Sequence, residues 1–145
     1  MIKAYFDGCC EPANPGGTAS YGAIILKNNK KIWECSKLFI PNKKRETSNN
    51  LAEYQGFIAI LNYLLKNKWN KEEIMIYGDS KLVISQMFGN WGIKKGLYVE
   101  SAKQAKAILS AFPKTNGEWI PRRKNSIADK LSKKKLIEAG IKINY

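Results

Sequence analysis

The 145-residue sequence predicts an α/β fold on three observations. A short apolar run from Ile2 ends in a carboxylate and a glycine, Ala4-Tyr5-Phe6-Asp7-Gly8. The arrangement recurs at Ile74-Met75-Ile76-Tyr77-Gly78-Asp79. Between and after these runs, apolar residues return at three- and four-residue spacing, the period of helices packed on a sheet. An unpaired buried charge is costly, so an acid at the end of a buried strand needs a purpose. In open α/β sheets, ligands gather at the carboxyl ends of the strands. Two such strands side by side would put Asp7 and Asp79 in one crevice, repelling each other unless a cation lies between them.

Taken in order, the first strand is expected to end at Asp7. Gly8 to Thr18 then reads as a loop rich in breakers, Pro12, Asn14, Pro15, Gly16 and Gly17, with no phosphate-loop spacing. Tyr21–Lys27 and Lys31–Ile40 read as a hairpin turning at Asn28-Asn29. In its second strand Trp33, Cys35 and Phe39 share one face. A polar, basic loop over 41–46 leads to Thr47-Ser48-Asn49-Asn50, a cluster of good helix caps. The helix behind it spans 51–66, with Leu51, Tyr54, Ile58, Leu61 and Leu65 inward. Glu53 falls in its first turn, where Asn50-x-x-Glu53 resembles a capping box. Asp79 follows the strand 74–78 and is equally suited to cap the helix 82–88. A break over 89–96 holds Trp91, read as core, and Lys94 and Lys95, read as solvated. A helix over 98–111 and a strand over 117–120 follow. After Arg122-Arg123-Lys124, Asn125 or Ser126 caps a last helix with Ile127, Leu131 and Leu136 inward and Asp129 in its first turn.

Bulk properties narrow the function classes. The length suits one domain over 1–145 with an ordinary core. No segment approaches the ~20 apolar residues of a membrane span, so no membrane partner is expected. Met1 passes directly into an expected strand, so no signal peptide is expected. Cys9, Cys10 and Cys35 are odd in number and lack metal-binding spacing, so free thiols and a cytoplasmic location are expected. Net charge is +13 with a pI near 9.7, which points to nucleic acid. Residues 94–145 carry 13 basic against 4 acidic side chains, so the charge gathers in the C-terminal third.

Asp7 and Asp79 end strands, while Glu53 and Asp129 start helices, and both kinds of element end can face one rim of an α/β sheet. The chain holds no histidine, which excludes Ser-His-Asp triads and imidazole zinc sites. Hard oxygen ligands select Mg²⁺ or Mn²⁺. A carboxylate-bound pair of such ions on a basic surface fits phosphodiester hydrolysis.

Six blocks, in order, resemble type 1 ribonuclease H. They are Tyr5-Phe6-Asp7-Gly8, Asn14-Pro15-Gly16-Gly17, Tyr21-Gly22-Ala23-Ile24, Thr47-Ser48-Asn49-Asn50-Leu51-Ala52-Glu53, Tyr77-Gly78-Asp79-Ser80 and Asn125-x-x-Ala128-Asp129-x-Leu131-Ser132. The resemblance implies a ribonuclease H-like fold, a five-stranded mixed sheet of order 3-2-1-4-5 flanked by helices. It also implies endonucleolytic cleavage of the RNA strand of an RNA/DNA hybrid, leaving a 5′-phosphate and a 3′-hydroxyl; the chain is expected to act as a monomer. Asp7 would then bridge two metal ions, Asp129 would complete the water-activating side, and Glu53 with Asp79 the leaving-group side. Gly8 through its backbone, Asn14 and Asn49 match minor-groove contacts, where the 2′-hydroxyl separates RNA from DNA. Ser48 matches a contact to a phosphate of the DNA strand.

Two departures from the family pattern stand out. Where many members carry a loop histidine before the last acid, this chain has Arg122 and Arg123, candidates to replace it by holding a phosphate. Lys81 stands where many members have a minor-groove glutamine. The segment 89–99 is short, as in the compact subgroup without a basic protrusion, leaving Trp91, Lys94 and Lys95 as candidate DNA-strand contacts. The rival readings are a related-fold nuclease acting on double-stranded RNA or DNA junctions, and a non-catalytic hybrid-binding module.

Overall fold

β1 (Ile2–Glu11) is the strand on which the sheet is built. In the computed structural model, which describes residues 1–39 and 47–143, it pairs antiparallel with β2 (Thr18–Lys27) along its whole length. With β4 (Ile74–Gly78) it pairs in parallel only from Ile2 to Phe6. β3 (Lys30–Phe39) extends the hairpin on one side, and β5 (Thr115–Trp119) lies parallel to β4 on the other. The sheet is mixed, in the order β3-β2-β1-β4-β5, the order the family resemblance implies. The basic loop over 41–46 and Ile40 lie outside the described residues.

β1 does not stop at Asp7. Its ladder with β4 closes at Phe6–Gly78, but its ladder with β2 continues to Glu11. Asp7 is thus the first residue past a fork in the sheet. Cys9 and Cys10, both buried, behave as small hydrophobes and prolong the strand through part of the expected loop. The three cysteines are free thiols. Asn28 and Asn29 both have positive φ (51° and 66°), the conformation a two-residue hairpin turn demands. A bulge at Ile25/Leu26 lets Ile32 join Trp33 and Cys35 against the core.

Alternation puts Ile2, Ala4, Phe6, Ala23 and Ile25 on the face covered by α1 (Asn49–Lys66), with α2 (Lys81–Phe88) and α3 (Val99–Leu109) beside it. In α1, Leu51, Tyr54, Ile58 and Leu61 are buried as predicted, but Leu65 is 40% exposed and Leu64 fully buried. The deepest stripe is Phe57, Ile60, Leu61 and Leu64, a +3, +4, +7 set rotated from the predicted one. Tyr54 donates to buried Gln86 (2.6 Å), whose amide reaches Gly92 O (3.0 Å) and the Tyr98 hydroxyl (3.2 Å). This network pins the 89–98 segment by its backbone, and Trp91, expected in the core, stands 53% exposed.

α4 (Ser126–Glu138) covers the opposite face. Leu131 and Leu136 are buried, whereas Ile127, also expected inward, is 56% exposed and Ala128 takes its place. The cause lies at the helix entrance. Asn125 occupies the cap position, but its side chain makes no cap bond and instead donates to Phe6 O (2.8 Å). α4 also sits on β2 without a spacer. A Cβ on Gly22 would lie 2.5 Å from Ser132 N and 2.6 Å from Leu131 C.

Candidate active site

The fork in the sheet, the N-terminus of α1 and the first turns of α4 enclose one polar cleft. Asp7, Gly8, Cys9, Glu11, Asn49 and Glu53 line it, with Asp79, Arg122, Asp129 and Lys133. Asp7, Glu53 and Asp79 each bring a carboxylate oxygen within 4.8 Å of the others. Asp129 lines the same cleft outside that group of three.

The competing local explanations for two of these acids fail. Ser48 caps α1, its Oγ accepting from Leu51 N at 3.1 Å, so Asn50-x-x-Glu53 is not a capping box. Such a cap contributes about 1 kcal/mol and leaves Glu53 buried with no helix-end duty. Glu53 reaches the cleft because α1 rests directly on Gly8, where a Cβ would collide with the backbone of Ala52 and Glu53. Ser80, not Asp79, caps α2 by accepting from Val83 N at 3.1 Å. Asp129 does lie in the first turn of α4.

Crowding shifts the acids as physics requires. Burial, then the charge of Asp79, pushes Asp7 up to about 7. Burial, with Asp7 next to it, holds Glu53 well above the usual carboxylate range. Burial also raises Asp79, against hydrogen bonding from Asp7. Partial burial pushes Asp129 up as well. The bond and charge of Lys133, with Asp7 and Arg122, outweigh this and leave Asp129 below its ordinary value.

The donor set fits a hard divalent cation. Three oxygens converge, burial disfavours their charge, and Glu53 Oε2 is buried without a hydrogen-bond partner. A cation there would satisfy that oxygen and relieve the mutual repulsion.

The other predicted residues divide. Asn49 lines the cleft, its Oδ1 accepting from Cys10 N (2.7 Å) and its own N–H donating to Asn14 Oδ1 (2.9 Å). Gly8 N donates to Asp7 Oδ1 at 2.9 Å. Arg122 reaches the cleft, with Nη2 3.5 Å from Asp129 Oδ1, whereas exposed Arg123 does not line it. Trp91 and Lys94 line a separate groove with Gln86 and Tyr98, and Lys95 is exposed outside it.

Three residues of this neighbourhood escape the sequence reading. Lys133 is 8% exposed, and its ammonium lies 2.8 Å from Asp129 Oδ1. Only its i,i+4 spacing from Asp129 hints at this. Ser132 Oγ donates to Asp129 O (2.7 Å) and approaches Asp7 Oδ2 (3.5 Å). Trp119 Nε1 donates to Asp79 O (3.1 Å), and Lys81 Nζ sits 4.8 Å from its ring centroid.

A family model described as reverse transcriptase-like matches residues 5–135. The chain belongs to the reverse transcriptase-like family. Among family relatives, the bifunctional protein Rv2228c of Mycobacterium tuberculosis is 38% identical over 120 residues, 82% of this chain but 31% of its own length. The chain thus spans about a third of that relative. The solved N-terminal RNase H domain of Rv2228c superposes with a TM-score of 0.79 at 31% identity, covering 97% of each chain. RNase H1 of Halobacterium salinarum gives 0.80 at 28%, covering 94% of this chain and 98% of its own. LC11-RNase H1, isolated from compost by a metagenomic approach and solved with an RNA/DNA hybrid, gives 0.83 at 29%, covering 96% and 99%. The resemblance to type 1 ribonuclease H therefore holds for fold and family.

Proposed function

We propose that this reverse transcriptase-like chain is a metal-dependent endoribonuclease that cuts the RNA strand of RNA/DNA hybrids. The observation that carries the reading is the convergence of Asp7, Glu53 and Asp79 within 4.8 Å, with Asp129 on the same cleft. Asp7 would hold both of two Mg²⁺ or Mn²⁺ ions, Asp129 the one on the water side, and Glu53 with Asp79 the one on the leaving-group side. The chemistry a bound pair supplies is a water nucleophile at neutral pH and charge neutralisation at the leaving oxygen. The acids' own part is to keep four carboxylates rigidly aimed into a cleft too crowded for all to ionise alone.

Substrate choice is assigned to the rim. Asn14 and Asn49 spend their Oδ1 atoms within the chain, leaving each Nδ2 as the donor offered to minor-groove acceptors and 2′-hydroxyls. Ser48 and Gly8 add contacts beside them. Arg122 binds phosphate next to Asp129, whereas Arg123 contributes to the outer field. Trp91, Lys94 and Lys95 meet the DNA strand, a role the exposure of Trp91 supports.

A short labelled RNA annealed to DNA or to RNA tests this, incubated with protein in EDTA, Mg²⁺ or Mn²⁺ beside Asp7→Asn. Metal-dependent internal cuts in the hybrid are expected, ending in 5′-phosphate and 3′-hydroxyl, with loss on the order of 10²-fold or more in Asp7→Asn. Preferential cutting of the RNA duplex would move the substrate to double-stranded RNA. Hybrid bound but never cut would leave a binding module.

A further inference from the structure

We propose that Lys133 is a positioning residue that acts as a resident counter-cation on Asp129, so that uptake of a second divalent ion requires displacement of its ammonium. This inference rests on the metal-site reading above. Lysines on helices commonly pair with an acid four residues back on the surface, to little effect. Lys133 differs in two ways. It is 8% exposed, and it lines the cleft that holds the four carboxylates. Its Nζ lies 2.8 Å from Asp129 Oδ1, the oxygen that Arg122 also approaches at 3.5 Å.

The two cations are not equivalent. The Arg122 side chain is 66% exposed and free to swing into solvent, while that of Lys133 is 9% exposed. Nor is Asp129 in the position of the other three acids. Asp7, Glu53 and Asp79 converge within 4.8 Å of one another, and Glu53 Oε2 is buried without a hydrogen-bond partner. Asp129 stands outside the group with its charge already compensated. A Mg²⁺ ion needs its oxygens at ~2.0–2.1 Å in near-octahedral array. It cannot take an oxygen that keeps a buried ammonium at hydrogen-bond distance without strong repulsion between the two cations. The free chain therefore offers one ready ion site at the three acids and one occupied by its own lysine. Substrate phosphate, as a second anion in the cleft, supplies what the ammonium needs in order to move.

The test is calorimetric titration of Mn²⁺ into the free protein, with bound ions counted by electron paramagnetic resonance. It compares wild type with Lys133→Met, which keeps the aliphatic stem and drops the charge, and with Lys133→Gln as a second neutral variant. Lys133→Arg tests retention of a cation, and Lys134→Met, on the exposed face of α4, controls for net charge. Wild type, Lys133→Arg and Lys134→Met are expected to bind one ion over the range in which both neutral variants bind two. The second ion should bind on the order of tenfold more tightly in the neutral variants. The Mg²⁺ concentration for half-maximal hybrid cleavage should fall in step. Equal stoichiometry and affinity in wild type and both neutral variants would overturn the role of Lys133 alone. No ion bound by any form, together with no metal-dependent cleavage, would overturn the metal-site reading and this inference with it.

Discussion

On the proposed reading Asp7 would meet opposite demands with and without a bound metal, and its protonation makes them measurable. Folded, it keeps its proton to about pH 7, while the unfolded chain releases it near 3.8. Between those values the folded state binds more protons, so this group's stabilising share is full below the lower value. It is lost as pH rises through the upper one. In EDTA, thermal melts should therefore show a lower Tm at about pH 8 than at about pH 5.5. Asp7→Asn should flatten that dependence and, at the higher pH, melt several degrees above wild type. Mn²⁺ should restore the wild type and do little for the variant. A variant no more stable than wild type at high pH would mean that crowding of the acids costs the fold nothing. At this scale the sequence was legible where chemistry and pattern coincide, as in apolar strands that end near an acid. Glu53 was ambiguous because a capping box and a ligand share one spacing. Lys133 was invisible because its burial depends on how closely α4 settles on the sheet, which no local pattern records.

That closeness belongs to the elements. α4 carries Asp129 and Lys133, and its depth on β2 is set by the missing side chain of Gly22, which pairs with Asp7 across the ladder. Gly22→Ala pushes a Cβ against helix backbone rather than a flexible side chain. It should cost about 1–3 kcal/mol in urea denaturation. Because the displaced helix takes Asp129 with it, hybrid cleavage in fully folded Gly22→Ala should need more Mg²⁺ than wild type. An unchanged metal requirement would separate α4 depth from the site. Element positions were legible from period and turn chemistry, as at Asn28-Asn29 and over 74–78. Which residues face inward was less so. Leu65 and Ile127 satisfy helical spacing yet stand exposed, because the inward arc is fixed by tertiary contacts such as Asn125 to Phe6 O. Composition places Trp91 in the core, while the Gln86 network turns its segment outward.

Over the whole molecule, a charge of +13 would act on the proposed polyanionic substrate through released counterions. Three basic contacts, from Lys94, Lys95 and Arg122, would lower hybrid affinity roughly 40-fold between about 50 and 200 mM salt. Fluorescence anisotropy with Asp7→Asn would measure the slope without cleavage. Joint Lys94→Ala and Lys95→Ala should reduce it by about two contacts, and an unchanged slope would remove that segment from the interface. The fork in β1 has a counterpart in amide exchange. Up to Phe6 the strand is bonded along both edges. Beyond it β2 remains, with Asn49 Oδ1 holding Cys10 N from the side. The inner half should thus exchange its amide hydrogens only with global opening, and the outer half through local opening as well. On the proposed reading, an ion held by Asp7 and Glu53 would fasten the outer half to α1. On adding Mn²⁺, deuterium uptake should slow over 7–11 and the first turns of α1 and stay level over 2–6. One continuous strand would then report ligand binding from one end and fold stability from the other.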